Sequence, residues 1–360
     1  MKPFRHHHLL SILRGFDESK MPLDLFLARY FRANKAVGSK DRRWICEHIY
    51  LMIRWKGLID AQIPRPAMWE NRLDALSNFR NQIDHLPPHV QVSFPKFLYQ
   101  MLDANDDLCR VLNEPAPTMI RVNRIKITRE KLLDQWDQPC YPTLHSPNGL
   151  VFKKKINFFA TPEFKKGFFE IQDEASQLVA ATVDAKPGDH VLDYCAGSGG
   201  KTLAIAPQME EKGQIYLYDI REHALLEAKK RLKRAGVQNA QVTNEKGLKS
   251  LRGKMDWVLV DAPCSGTGTL RRNPDMKWKI TPEMIERLVK EQRAIFESAL
   301  QYLKPDGKIV YATCSILPAE NEEQTVYFEK ALQLQMAAPP FKTLPESGKM
   351  DGFFAATLIR

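Results

Sequence analysis

Two cysteines each follow a short hydrophobic run that ends in turn residues. Cys264 stands in Trp257-Val258-Leu259-Val260-Asp261-Ala262-Pro263-Cys264-Ser265-Gly266, and Cys314 in Lys308-Ile309-Val310-Tyr311-Ala312-Thr313-Cys314-Ser315. β-branched runs of this length read as strands. In an open parallel sheet the carboxyl ends of the strands border the ligand crevice, so two thiols at two such ends can meet over one substrate. Few reactions need a thiol pair. Methylation of a pyrimidine carbon is one. Carbon 5 of cytosine is a poor nucleophile until a thiolate adds to carbon 6, which makes the ring enamine-like and lets carbon 5 attack an electrophilic methyl. The adduct must then lose the carbon 5 proton and expel the thiol, and the base must leave its stack to enter such a pocket.

The elements that would position these thiols form a regular βα alternation from about Gln172. His190-Val191-Leu192-Asp193 reads as a strand, followed by a Gly-rich turn and a short helix to Ala206. Gln214 to Asp219 is the next strand, Arg221 to Ala235 an amphipathic helix ended by Gly236, and Gln241-Val242-Thr243 a third strand. The two cysteine-bearing strands and a helix from about Pro282 to Leu303 complete a doubly wound α/β sheet, to which Asp351 to Ile359 adds an antiparallel edge strand.

The turn Asp193-Tyr194-Cys195-Ala196-Gly197-Ser198-Gly199-Gly200-Lys201-Thr202 lets the backbone approach a ligand closely. Gly200-Lys201-Thr202 resembles the end of a phosphate-binding P-loop, but that motif places a glycine where Cys195 stands. Asp219 lies about 20 residues on, where an acid binds ribose hydroxyls. A dinucleotide and S-adenosylmethionine fit this turn equally; the cysteine pair selects S-adenosylmethionine.

Upstream, residues 1 to about 115 read as helices. Ser39 is placed to cap a helix running to about Leu58, with Ile45, Ile49, Met52 and Ile53 as its buried stripe. Arg42, Arg43, Arg54 and Lys56, with Arg29, Arg32 and Lys35, form either a basic face or a solvated helix surface. Asn113-Glu114-Pro115-Ala116-Pro117 breaks the helical pattern. A small α+β module over 116–171 follows, with strands at Met119–Asn123, Leu150–Phe152 and Phe168–Ile171 and a helix capped by Thr128. Its Lys153-Lys154-Lys155 and Lys165-Lys166 beside Phe158, Phe159 and Phe164 suit either a single-stranded RNA surface or a packed aromatic core.

The 360 residues carry 53 Lys and Arg against 43 Asp and Glu, a net +10 that favours a polyanionic partner, nucleic acid being the usual one. No run of about eighteen uncharged apolar residues exists to span a membrane, and the N-terminus lacks a signal-peptide pattern, so a cytoplasmic protein is expected. The six cysteines contain no C-x-x-C pair, which argues against structural zinc. His6-His7-His8 lacks partner ligands and is not read as a metal site, so no metal is expected. Cys46, Cys109 and Cys140 are expected to be structural.

Three segments resemble, in order, the signatures of RNA (cytosine-5) methyltransferases of the Sun family. They are Cys195-Ala196-Gly197-Ser198-Gly199-Gly200-Lys201-Thr202, Asp261-Ala262-Pro263-Cys264-Ser265-Gly266-Thr267-Gly268-Thr269-Leu270-Arg271-Arg272-Asn273-Pro274-Asp275, and Thr313-Cys314-Ser315-Ile316-Leu317-Pro318-Ala319-Glu320-Asn321-Glu322. Gln172-Asp173-Glu174-Ala175-Ser176 resembles the family's domain junction. The helical part is similar to the NusB-like RNA-binding extension of bacterial ribosomal RNA members. The resemblance implies a Rossmann-like S-adenosylmethionine methyltransferase domain over 172–360, preceded by an all-α NusB-like domain over 1–115 and the small module. It implies Cys314 as the nucleophile toward carbon 6 and Cys264 as an aid to release. Asp261 would contact the cytosine and lie near the cofactor, Lys201 would sit in the active site, and Asp219 would bind the ribose. The cofactor set is Cys195, Ala196, Gly197, Ser198, Gly199, Gly200, Lys201, Asp219, Asn244 and Asp261, with Cys195 lending only its backbone.

The sequence departs from the family twice. The family turn often reads Cys-Ala-Ala-Pro-Gly-Gly-Lys, whereas Gly197-Ser198-Gly199 loosens its middle here. Asn244 replaces the acid often found after the third strand, and its amide can still hydrogen-bond adenine. Arg271-Arg272 is either a phosphate contact or a solvated pair. The expected reaction is formation of 5-methylcytosine in small-subunit ribosomal RNA by a monomer. Transfer RNA is the alternative substrate. A catalytically silent RNA-binding assembly factor and a nicotinamide oxidoreductase are the alternatives of other classes.

Overall fold

A computed structural model describes all residues except 1–3, 20, 153 and 155. Of the Lys153-Lys154-Lys155 run, therefore, only Lys154 lies within the described residues, and it is exposed. The chain divides into two compact units. One joins Met1–Pro115 with Thr269–Pro282; the other joins Ala116–Gly268 with Glu283–Arg360.

The first unit is helical, as expected. Helices Phe4–Asp17, Leu23–Ala33 and Ser39–Arg54 bury Leu9, Ile12, Leu13, Ile45 and Ile49 completely. Each such side chain contributes about 1.5–3 kcal/mol by leaving water. Gly38, not Ser39, occupies the capping position, and Ser39 is the first helical residue. The helix stops at Arg54 rather than Leu58 because Trp55 leaves helical geometry (φ −106°, ψ 16°), and a separate short helix covers Lys56–Asp60. A helix end leaves its last carbonyls without intrahelical partners. Here Trp278 Nε1 donates to Ile53 O at 2.7 Å and Lys277 Nζ to Arg54 O at 2.5 Å, so the Thr269–Pro282 segment satisfies them. Arg54 in turn donates to Arg271 O at 2.7 Å. Arg271 is fully buried, which removes it as a phosphate contact. The basic residues also separate: Arg29, Arg32, Lys35 and Arg43 are exposed. Arg42 is tied to Val37 O at 2.8 Å, so the basic face is narrower than the sequence suggests.

In the second unit the small module is an antiparallel sheet of order β2-β3-β1-β4. Its strands are β1 (Thr118–Val122), β2 (Cys140–Pro142), β3 (Gly149–Phe152) and β4 (Phe169–Ile171). Thr128 caps the helix Arg129–Gln135 as predicted, accepting from Lys131 N at 3.3 Å. Phe152, Phe158, Phe164 and Phe169 form its core, whereas Phe159 is 67% exposed.

The large sheet is doubly wound α/β. Its strands are β5 (His190–Asp193), β6 (Gln214–Leu217), β7 (Ala240–Val242), β8 (Met255–Asp261), β9 (Leu303–Thr313), β10 (Gln335–Met336), β11 (Phe341–Thr343) and β12 (Phe353–Ile359). The order is β10-β12-β9-β8-β5-β6-β7, with β11 also on β12. β9, β8, β5, β6 and β7 run parallel. Val258, Leu259, Val260, Ile309, Val310 and Tyr311 are fully buried, as expected for strands covered by helices on both faces. β12 is antiparallel as expected but not at the edge: it pairs β9 on one side and β10 and β11 on the other. Phe353, Phe354, Ala355 and Ala356 are all buried, so this strand is apolar on both faces and belongs inside a sheet.

Candidate active site

Parallel pairing fixes where the two cysteine loops begin. Val260 is level with Tyr311 and Asp261 with Ala312, so β8 and β9 end side by side. Ala262 N–H donates to Ala312 O at 2.9 Å, extending the ladder into the loops. Cys264 Sγ and Cys314 Sγ lie 3.4 Å apart, and both residues are half-buried. No disulfide joins any of the six cysteines. The hydrogen bond to Cys314, and then burial, push the Cys264 pKa well up. Cys264 thus keeps its proton, and the two sulfurs lie within hydrogen-bond reach.

The loops are held from behind by a buried polar network. Glu320 accepts from Ser265 N at 2.8 Å, Ser265 Oγ at 2.5 Å and Gln292 Nε2 at 3.0 Å. Gln292 Nε2 also donates to Pro263 O at 3.0 Å. Asn321 serves the other loop: its Nδ2 donates to Ser315 O at 3.0 Å, and its Oδ1 accepts from Thr313 Oγ1 at 2.5 Å. Ile316 N donates to Thr267 Oγ1 at 3.0 Å, which ties one loop to the other. Gly268 N donates to Cys314 O at 3.0 Å, and a Cβ there would meet Gly352 O at 2.1 Å. Only glycine permits that approach.

The turn after β5 brings Lys201 to the end of β8. Lys201 Nζ donates to Asp261 Oδ2, and the lysine side chain is 9% exposed. Burial lowers the Lys201 pKa, but Asp261 and Cys314 outweigh it and the net shift is upward, so the ammonium persists. The ammonium is electrostatically coupled to Cys314 as well as to Asp261. Asp193, at the end of β5, accepts from Thr202 Oγ1 at 2.6 Å and leaves its buried Oδ1 without a protein partner. Burial pushes its carboxyl up to about 7.

Gly197 (φ +52°) and Gly199 (φ +76°) give the turn its shape, and a Cβ on Gly199 would press on Ala228 Cβ at 3.3 Å. Gly197 N donates to Asp219 Oδ2 at 2.8 Å. Arg221 Nε and Nη2 each donate to Asp219 at 2.9 Å. Burial raises the Asp219 pKa, yet these bonds overcome it and hold the group ionised. A ribose diol reaching Asp219 competes with the Arg221 guanidinium, which is 60% exposed and can turn away. The residues therefore suit an adenosine-type ligand. Asn244 is exposed and caps the helix Glu245–Lys249, its Oδ1 accepting from Gly247 N at 2.9 Å. Burial raises the Cys195 pKa, leaving a neutral packed thiol, and pushes Cys109 up to about 12.

Sequence reasoning assigned no role to Glu320, Asn321, Gln292 or Asp193. The first two stand in the last signature, where an acid and an amide beside a proline turn signal a polar anchor. Gln292 sits mid-helix and carries no such signal. His6 stacks on Trp44 and His8 hydrogen-bonds Tyr30 at 2.8 Å. Among the described residues no group of three or more metal-ligating side chains forms, and no helix is long and apolar enough to cross a membrane.

Residues 180–359 match the family model 16S rRNA methyltransferase RsmB/F, a span that holds the turn and both cysteine loops. The ribosomal RNA small subunit methyltransferase B of Proteus mirabilis is 33% identical over 279 residues, which are 75% of this chain and 63% of that protein. That of Vibrio vulnificus is 31% identical over 329 residues, 85% of this chain and 74% of that protein. The chain thus spans less than two thirds of the length of the Proteus relative. A solved methyltransferase homologue from Pyrococcus horikoshii superposes with a TM-score of 0.66 at 26% identity, covering 75% of this chain and 97% of that one. The chain belongs to the 16S rRNA methyltransferase RsmB/F family.

Proposed function

We propose that this chain transfers a methyl group to carbon 5 of a cytosine in small-subunit ribosomal RNA through a covalent Cys314 adduct. The observation that carries the reading is the 3.4 Å Cys264–Cys314 pair near the ion pair of buried Lys201 with half-buried Asp261, at adjoining strand ends. The family's cofactor is S-adenosylmethionine, which supplies the electrophilic methyl when bound. Asp219 and the Gly197–Gly200 turn would hold it, with Asn244 offering its amide to the adenine.

The roles follow from charge. Lys201 favours the Cys314 thiolate, whose sulfur bonds to carbon 6 while the ring's double-bond pair moves to carbon 5. Asp261, fixed by Lys201, faces the cytosine ring and polarises it. Carbon 5 takes the methyl as the methyl–sulfonium bond breaks; the carbon 5 proton then passes to a solvent base, and the electron pair of that C–H bond re-forms the 5,6 double bond and expels the Cys314 thiolate, with Cys264 assisting that departure. The exposed Arg29, Arg32, Lys35 and Arg43 of the helical unit, which the resemblance likens to NusB, give phosphate contacts that carry affinity rather than sequence choice.

The test is methyl incorporation into ribosomal RNA by the purified chain, read by bisulfite sequencing. Conversion-resistant cytosine in small-subunit RNA is the expected result, and its loss in Cys314→Ala follows. Methylation of transfer RNA alone would move the substrate. Retained RNA binding without any methylation would leave only the assembly-factor reading.

A further inference from the structure

The turn after β5 lacks the proline stiffening often found in the family, yet two side chains grip it from outside. Arg231, on the helix Glu222–Ala235, donates through Nη1 to Ser198 O at 2.9 Å and to Ser198 Oγ at 2.6 Å. Gln172 Nε2 donates to Gly200 O at 3.3 Å. Neither grip is self-supporting, because both side chains are held by the small module. Glu170 on β4 is 4% exposed and accepts from Arg231 Nη2 at 3.0 Å and Nε at 3.2 Å. Arg121, directly opposite Glu170 across the β1–β4 pair, donates to Gln172 Oε1 at 2.7 Å. Arg234 Nη2 also donates to Glu170, at 2.6 Å, but makes no bond to the turn. Asn123 Nδ2 donates to Ala235 O at 2.8 Å, so the module holds the end of the same helix.

We infer that Arg231 is a positioning residue for S-adenosylmethionine: the small module, through Glu170, sets the Ser198 corner of the cofactor turn. The inference rests on the reading of that turn as the cofactor site. A guanidinium tied on one edge to a buried carboxylate has little rotamer freedom left, so its other edge presents Nη1 in a fixed place. The module that sequence reading assigned to RNA or to simple packing thereby acquires a second task. It preorganises the backbone that the cofactor meets, and the ordering cost is met before binding.

The full chain is titrated with S-adenosylmethionine by calorimetry, without RNA, and each variant is checked by thermal melting. Arg231→Ala is expected to raise Kd about tenfold, the scale of one charge-assisted hydrogen bond. Arg231→Lys should recover part of that loss. In turnover assays the Arg231→Ala defect should sit in KM for the cofactor, with kcat returning to within about twofold at saturation. Arg234→Ala breaks the same Glu170 cluster without touching the turn and should keep Kd within about twofold. Equal Kd shifts for Arg231→Ala and Arg234→Ala, or no shift for Arg231→Ala, would overturn the inference. Asp219→Ala separates the two levels. If it abolishes binding while Arg231→Ala changes nothing, only the positioning role falls; if it leaves binding intact, the reading of the turn as the cofactor site falls first.

Discussion

The surroundings of the cysteine loops and of the glycine turn are built differently. Behind the thiols stands a fully buried network, Glu320, Asn321, Gln292 and Ser265, whose hydrogen bonds reach both loops. Around the glycine turn the charged side chains differ in cover: Arg231, tied to buried Glu170, is 16% exposed, whereas Arg221 on Asp219 is 60% exposed. Buried networks are unforgiving, because an orphaned polar group keeps its desolvation cost. An arginine as exposed as Arg221 is more forgiving, since water replaces its lost partner. The contrast suits the proposed chemistry: the sulfur must be fixed to a fraction of an ångström, whereas a cofactor must enter and leave each cycle.

Glu320→Ala should break this contrast most severely. It removes the acceptor of Ser265 N, of Ser265 Oγ and of one of the two Gln292 Nε2 bonds in the interior, and a loss of about 3 kcal/mol in unfolding free energy is expected from denaturant melts. Methylation should fall at least about 100-fold even where the protein still folds, because the Cys264 loop is no longer aimed. Cys264→Ala should leave stability nearly unchanged yet cut turnover about 100-fold, with enzyme–RNA adduct accumulating on denaturing gels.

A pH experiment sharpens the comparison at the end of β5. The Asp193 carboxyl is raised to about 7 by burial, above its unfolded value of about 3.9. Its contribution to stability is therefore fully present below about pH 4 and is lost as pH rises through about 7. Asp193→Asn still accepts from Thr202 and cannot ionise. It should raise Tm by a few degrees at pH 8 and change little at pH 4; an equal gain at both would deny the titration. The smallest effect belongs to Asn244→Ser, which retains a capping oxygen but removes the amide. Stability should hold, and S-adenosylmethionine Kd should rise by only about threefold in the same calorimetry.

What the sequence made legible divides along the same line. The two strand-end cysteines, the glycine turn, Lys201, Asp219 and Asp261 are local signals. Each sits in a short segment whose pattern names its strand or turn, and the sheet brings Cys264, Cys314, Lys201 and Asp261 together. The supports were not legible. Gln292 lies 29 positions from Pro263, its acceptor, and nothing local marks a mid-helix glutamine as an anchor. Glu170 was read only as part of the strand Phe168–Ile171, and nothing local names its buried position or its partners. β12 was misplaced at the edge because its position at the end of the sequence does not say how many strands flank it; the pairing with β9 on one side and β11 on the other does. The Thr269–Pro282 segment continues directly from a signature motif, and only tertiary contacts assign it to the helical unit. Ser39 illustrates a local limit: with Gly38 before it, two adjacent residues suited the capping position, and backbone geometry chose the glycine.

The central claim is that the Cys314 sulfur, and not that of Cys264, bonds to the base. The Cys264→Ala chain is incubated with small-subunit ribosomal RNA and S-adenosylmethionine, denatured, digested with protease and nuclease, and examined by mass spectrometry. The account predicts a cytosine adduct on the peptide containing Cys314, absent when Cys314→Ala is added. An adduct on any other residue, or undiminished methylation by the Cys314→Ala chain, would contradict it.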